Sequence, residues 1–297
     1  MYFYRVYGYR LKSSFSFPEF PVAKDSSPAD ISLRFGDVDC PVATFPGPIP
    51  CRWQGDQDAR FSILQVGRFH VRDGKEIIVS PAPGMQGRLL KNWILGTAFG
   101  LLLYQRGILI LHGSAVALKG EAALILGAKG WGKSTLSVAL CRDGFSFLTD
   151  DLAAIRWRQG HPPLIMPGPP ETKLWPDTLS FLRREAASLQ KIHPISNKRV
   201  LPVRDFVQKP KILKRIYILA RGETDEILPL TPREAFFEII RHSYRIDWVP
   251  ESMARSKFAQ WTSLVNEVPT VLFRRRFSME TLMDQASRIR ADYELFS

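Results

Sequence analysis

Cysteine is scarce: Cys40, Cys51 and Cys141 are the 3 in a chain of 297 residues. An odd, widely spaced set gives no disulfide framework, and none of them has the spacing of a metal-ligating pair. Cys40 and Cys51 could pair in an oxidising compartment. Free thiols in a reducing cytosol are the plainer reading, so a cytoplasmic protein is expected. Long apolar runs are missing as well. The most membrane-like stretch, Trp93 to Tyr104, is too short to span a bilayer and is interrupted by Gln105-Arg106-Gly107. It reads as a buried helix, and no membrane association is expected. The opening MYFYRVYGYR mixes aromatics with arginine and lacks the apolar stretch of a secretory signal. There is no internal repeat and no low-complexity tract.

Acidic residues are in deficit. Asp and Glu number 29 against 41 Lys and Arg, for a formal charge of +12. That balance favours acidic partners: nucleic acid, anionic lipid or an acidic peptide. The densest runs are Arg274-Arg275-Arg276 and the stretch holding Lys209, Lys211, Lys214 and Arg215. Neither has the aromatic interleaving of a single-strand binder, and no DNA-reading motif is present. These runs are expected to be a solvated basic surface, and nucleic acid is not expected as a partner. With 45% hydrophobic and 24% charged residues the composition is that of a globular chain. The length suits one large domain or two ordinary ones.

Residues 1–85 read as a β-rich N-terminal subdomain. Tyr2–Leu11 alternates, and Asp30–Phe35 and Arg60–Val66 are short strand candidates. Phe69–Val79 reads as a hairpin with Asp73-Gly74 at its turn. Proline-bearing loops such as Phe45–Pro50 lie between these segments, and the Ser80–Gly84 stretch marks a boundary. Residues 86–297 change pattern. Arg88–Tyr104 reads as a helix ended by Gly107. Ile108–Leu111, Ser114–Leu118 and Ala122–Leu126 read as buried strands. Lys133–Asp143 reads as a helix with Gly144 as its left-handed C-terminal residue. Phe145–Thr149 follows as a strand. The last third reads as mainly helical: one helix opened by Thr231-Pro232-Arg233-Glu234, then Ser252–Val265 and Ser278–Tyr293, with a strand at Thr270–Phe273.

The most specific motif is Gly127-Ala128-Lys129-Gly130-Trp131-Gly132-Lys133-Ser134, a full match to the P-loop pattern between an apolar strand and a helix. Glycines let the backbone curl so that N–H groups point at phosphate oxygens. The helix start adds partial positive charge. Lys133 suits the β- and γ-phosphates, the Ser134 hydroxyl suits Mg2+, and Thr135 is a further phosphate contact. ATP with Mg2+ is the expected ligand pair, held by residues 127–135.

A P-loop also needs an acidic group for the metal. A hydrophobic strand ending in Asp150-Asp151 follows the P-loop helix directly. Strand, helix and strand should place the two strands side by side and parallel, with both C-terminal ends on one edge. Two neighbouring carboxylates allow a division of labour between metal ligand and general base. Capping of the next turn is the alternative for such a pair, and the functional role is the expected one.

Three sequence blocks now carry a resemblance. Leu111-His112-Gly113-Ser114-Ala115-Val116, then Leu126–Thr135, then Gly144–Asp151 resemble the catalytic domain of HPr kinase/phosphorylase. Pro167–Asp177, Lys198–Pro202 and Arg215–Leu219 are similar to the stand-alone HPr-kinase-like serine kinases, some of which phosphorylate precursor peptides. The resemblance covers about residues 108–245. It implies an α/β fold with a P-loop core of the HPr-kinase/PEP-carboxykinase type, carrying the β-rich N-terminal subdomain. It implies a catalytic set of Asp150 as general base, His112 beside it and Lys133 on phosphate, with Ser134 and Asp151 on the metal side. Lys173 is added as a cation that could touch phosphate, or else lie on the surface. The Glu-x-Arg-Gly-x-Gly signature that goes with phosphorylase activity is absent, so phosphorolysis is not expected. The N-terminal region differs from that family's usual one, so HPr is not the expected acceptor. The parent family forms oligomers, which leaves a homo-oligomer open.

The expected activity is transfer of the γ-phosphoryl group of ATP to a serine or threonine of a protein or peptide, acidic if the surface charge selects it. A loop should close over the site to exclude water, and Pro167–Pro170 is a candidate wall. An ATPase switch, a nucleotide-binding module with a degenerate centre, and a small-molecule kinase compete with that reading.

Overall fold

The computed structural model describes residues 1–43 and 51–295. The loop expected at Phe45–Pro50 lies outside the described residues. The N-terminal part holds β1 (Tyr2–Val6), β2 (Tyr9–Ser13), β3 (Ile31–Phe35), β4 (Arg52–Gln54), β5 (Asp58–Ile63), β6 (Gly67–Arg72) and β7 (Glu76–Pro81) in one sheet of order β1-β2-β3-β7-β6-β5-β4. The alternation of Tyr2–Leu11 is therefore not one strand. Tyr7 and Gly8 both have positive φ, 51° and 75°, and turn β1 back on β2. Two successive left-handed residues match the right-handed strand twist, which is why such pairs close hairpins. Asp73 and Gly74 do the same between β6 and β7, as expected.

A helical stretch follows as α1 (Arg88–Trp93), a π-helical turn at Ile94–Ala98, and α2 (Phe99–Gln105). The expected single helix thus carries a π-bulge, at which Gly96 and Gly100 leave room for the Tyr244 ring. Its apolar side meets the inner face of the N-terminal sheet in one core. Leu11, Leu33, Phe61, Phe69, Ile77 and Val79 pack there with Leu90, Ile94, Phe99 and Leu102. Burial of each such side chain stabilises by about 1.5–3 kcal/mol. Ile110, Leu152 and Ala154 of the second sheet join the same cluster, so the two sheets share a core.

The second sheet contains β8 (Leu109–Leu118), β9 (Glu121–Leu126), β10 (Ser146–Thr149), β11 (Leu152–Arg158) and β12 (His161–Ile165), with α3 (Lys133–Arg142) between β9 and β10. A hairpin of β13 (Glu171–Leu174) and β14 (Arg199–Pro202) stands apart, with α4 (Pro176–Phe181) in its connection. Then come β15 (Lys211–Arg221), β16 (Glu226–Pro229), α5 (Pro232–Arg241), α6 (Ala254–Glu267), β17 (Thr270–Arg275) and α7 (Leu282–Leu295). Pairings run β10-β8-β11-β12-β15-β17-β16, and β9 bridges β8 and β15.

Three expectations change here. The two segments around His112-Gly113 form one continuous strand, β8. The last third contributes strands as well as helices, because β15 and β17 pair in parallel beside β9. And β9 and β10 are not neighbours: β8 pairs antiparallel with both and lies between them. Two antiparallel steps restore a parallel orientation. The C-terminal ends of β9 and β10 therefore still open on one edge, with His112 between them. The capping box at Thr231 forms as read, with Thr231 and Glu234 exchanging side-chain and backbone bonds.

Candidate functional site

The edge where β9 ends is shaped by glycine. Gly130 and Gly132 have φ of 83° and 79°. Gly132 is the residue before α3, and a Cβ there would lie 2.4 Å from Nη2 of Arg275. No other residue fits that conformation and that contact together. The curl leaves the first N–H groups of α3 facing the cleft, with the positive end of the helix behind them. Lys133 is buried, and its Nζ donates to the carbonyl oxygens of Gly127 at 2.8 Å and Ala128 at 3.3 Å. Burial, and then the charge of nearby Lys198 against the pull of Asp150 and Asp151, leaves the ammonium pKa below its ordinary value.

The aspartates occupy a break in the pairing along β8. Thr149 is level with Ala115 and Leu152 with His112. Asp150-Asp151 spans the gap as a three-residue turn, in which Leu152 N–H donates to the Asp150 carbonyl at 3.0 Å. Asp151 has φ of 69°, an uncommon conformation for a non-glycine residue, of the kind that persists where surrounding contacts enforce it.

This turn sends the two carboxylates to different partners. Asp150 is buried. Its Oδ1 accepts from Ser134 Oγ at 3.0 Å and from Ser114 Oγ, and its Oδ2 accepts from Thr172 Oγ1 at 2.7 Å and from the Lys173 amide at 3.3 Å. Asp151 instead lines the cleft and pairs with Lys173 Nζ at 2.5 Å. Burial alone would raise its pKa; Lys173 and then His112 outweigh that and hold the carboxyl well below its usual range. His112 Nδ1 donates to the Asp151 carbonyl at 3.1 Å. Burial, followed by the Lys133 charge, lowers the imidazole pKa, so His112 is neutral near pH 7. His242, which sequence reasoning did not single out, lies behind it. Its carbonyl accepts from His112 N–H at 2.7 Å, and its own pKa falls to about 4 through burial and then Lys133.

The cleft above these groups has a volume of about 430 Å³. Lys129, Lys133, Lys173, Lys198 and Arg275 line it against Asp151 and Asp177. A concave, low-dielectric site with that excess of cations concentrates polyanions. Gly130, Gly132, Ser134 and Thr135 line it too, and Thr135 Oγ1 lies 2.9 Å from Thr178 Oγ1. Gly127, Ala128 and Trp131 take part through carbonyl groups that hold Lys133 and Arg275. The candidate residues of the sequence reading thus converge. Pro167–Pro170 does not line the cleft. That segment is buried, where Tyr7 N–H donates to the Pro167 carbonyl and Gly168 N–H to Leu148.

No protein-family model matches this chain, and no curated protein matches it. Among solved structures it is similar to the HPr(Ser) kinase/phosphatase from Coxiella burnetii. The identity is 14% and the TM-score 0.36, covering 63% of this chain and 91% of that one.

The donor set suits a particular kind of cation. Among the described residues no group of three or more His, Cys, Asp or Glu is placed to hold a metal. Ser134 and Asp150 offer an adjacent pair of oxygens. Two hard oxygen donors from protein fit a Mg2+ ion, which keeps several waters, better than zinc or calcium, which take more ligands from protein. Among the described residues no helix is long and apolar enough to cross a membrane.

Proposed function

We propose that this chain transfers the γ-phosphoryl group of ATP to a serine hydroxyl of a protein or peptide. The observation that carries the reading is the hydrogen bond from Ser134 to Asp150, set beside Asp151, Lys173 and His112 in one cationic cleft. The sequence resemblance of residues 108–245 to HPr kinase/phosphorylase points the same way.

The roles follow from the contacts. The amides at the start of α3 and the Lys133 ammonium hold the β- and γ-phosphates, Lys133 exchanging its carbonyl partners for phosphate oxygens. Asp150 and Ser134 would hold Mg2+, which when bound neutralises charge on the phosphates. This reverses the division of labour expected from sequence. Asp150 is buried, with Ser114, Ser134 and Thr172 on its oxygens, so a small cation that takes the place of the Ser134 proton suits it better than a bulky acceptor side chain. Asp151 faces the cleft and takes the part of general base. The acceptor oxygen forms its bond to the γ-phosphorus as the bond from that phosphorus to the β–γ bridging oxygen breaks. ADP leaves with the electron pair, and the hydroxyl proton passes to Asp151. A carboxylate held strongly ionised is a weak base. That suits a loose transition state, in which the proton leaves late and orientation of the hydroxyl matters most. Lys173, paired with Asp151 on the cleft wall, would follow the transferring charge, and His112 holds the turn through the Asp151 carbonyl. The surplus of cations favours an acidic acceptor segment.

The test is incubation with γ-labelled ATP, Mg2+ and a panel of serine-bearing peptides and proteins, with Asp151→Asn in parallel. Labelled phosphoserine that vanishes in the variant supports the reading. Label found only as free phosphate supports an ATPase switch instead.

A further inference from the structure

We infer that Arg275 is a further catalytic residue of this site, its guanidinium contacting the phosphates of the bound nucleotide. The inference rests on the nucleotide reading above and assigns a residue that the P-loop pattern does not include.

The Arg274-Arg275-Arg276 run is not the uniformly solvated surface its sequence suggests. Strand alternation at the end of β17 turns Phe273 and Arg275 inward, at 0% and 4% exposure. Arg274 pairs with Glu226 on the outside, and Arg276 pairs with Asp225. Arg275 alone of the run has no carboxylate within ion-pair distance among the described residues. Its Nη2 donates to the Trp131 carbonyl at 2.9 Å, and its Nη1 to Gln285 Oε1 at 2.5 Å. Both acceptors are neutral. A buried guanidinium satisfied only by neutral acceptors is a costly arrangement, and it becomes favourable when an anion enters.

The surroundings fix which anion. Arg275 lines the same cleft as Lys133 and Ser134, and it lies against the P-loop itself. Gln285, fully buried on α7, is held by Asp225, by the Arg276 carbonyl and by Thr281. The guanidinium is therefore aimed before any ligand arrives, and its planar fork matches phosphate oxygens. An anion that sits on the P-loop amides and reaches Arg275 is the polyphosphate of a nucleotide.

The test is titration calorimetry of ATP with Mg2+, inorganic tripolyphosphate and AMP on the full chain, for wild type, Arg275→Gln and Arg275→Lys. Loss of one charge-assisted contact predicts that Arg275→Gln weakens ATP and tripolyphosphate alike, by about 10- to 100-fold. AMP affinity should stay within about twofold if the loop itself is intact, because the loss belongs to the β- and γ-phosphates. Arg275→Lys, which keeps the charge, should recover part of the loss. Unchanged ATP and tripolyphosphate affinity in Arg275→Gln overturns the inference. Equal weakening of AMP overturns it too, because the residue would then only hold the loop together. A wild-type chain that binds neither ATP nor tripolyphosphate overturns the nucleotide reading and this inference with it.

Discussion

Ser134 Oγ and Asp150 Oδ1 lie 3.0 Å apart, joining the first turn of α3 to the turn that follows β10. The pair is 16 residues apart in sequence and is brought together across β8. Its consequence is separable behaviour of the two aspartates. Asp150→Asn should abolish the Mg2+ dependence of ATP binding. Asp151→Asn should keep Mg2+-dependent binding and lower phosphoryl transfer by about 10²- to 10⁴-fold, the range for losing a general base. Equilibrium binding with and without Mg2+, beside label transfer, measures both. Loss of transfer in Asp151→Asn with ATP binding lost to the same degree would contradict the division.

Gly132 offers a second check. An alanine there is strained at φ of 79° and places its Cβ against Arg275. Backbone strain of this kind costs on the order of 1–3 kcal/mol. Gly132→Ala should lose nucleotide affinity by at least about tenfold while the melting temperature falls only a few degrees. Near-normal ATP affinity would show that the loop can reopen and that this contact does not constrain the site.

Much of this loop was legible because its signal is local. The P-loop pattern, the Asp73-Gly74 turn and the Thr231–Glu234 capping box all depend on neighbours within a few residues. The rest of the site depends on partners far along the chain. Thr172 and Lys173 reach the aspartates from β13, and Ser114 from β8. No periodicity in those segments announces that role. Arg275 was hidden by its neighbours: three arginines in a row read as solvent-facing until strand alternation places the middle one inside. The separate contacts of the two aspartates were not legible for a related reason. Alternation along a strand separates them in principle, but a turn with positive φ at Asp151 does so here, and a positive φ at aspartate leaves no mark in sequence.

The helix packed on the N-terminal sheet should matter to the site through one ion pair. Arg88, at the start of α1, makes a two-pronged contact with Glu171, beside Thr172. Both side chains are nearly buried. Removing one partner of such a pair leaves an uncompensated charge and typically costs about 3–5 kcal/mol. Arg88→Ala should therefore lower stability to urea by that order, and weaken Mg2+-dependent ATP binding as the Thr172 contact to Asp150 loosens. Full stability in Arg88→Ala would place the pair among those that contribute little.

Lys257 gives the pH dependence. It is buried on α6, donates to the Ile108 carbonyl at 3.1 Å and sits 4.4 Å over the Tyr104 ring, with no carboxylate in ion-pair distance among the described residues. Burial lowers its pKa from 10.5 to about 8. The folded state therefore disfavours the charged form. Below about pH 8 the ammonium stays protonated on both sides of the unfolding equilibrium, and its burial penalty is constant. Between about pH 8 and the unfolded value of 10.5 the unfolded chain binds more protons than the folded one, so this group's contribution to stability rises with pH, by about 1.4 kcal/mol per unit at most. Lys257→Met removes that slope while filling a similar volume. The variant should be more stable than wild type at pH 7, and the difference should shrink by pH 10. Urea denaturation at the two pH values measures it. A difference that does not change between them would mean that the ammonium keeps its ordinary pKa despite its burial.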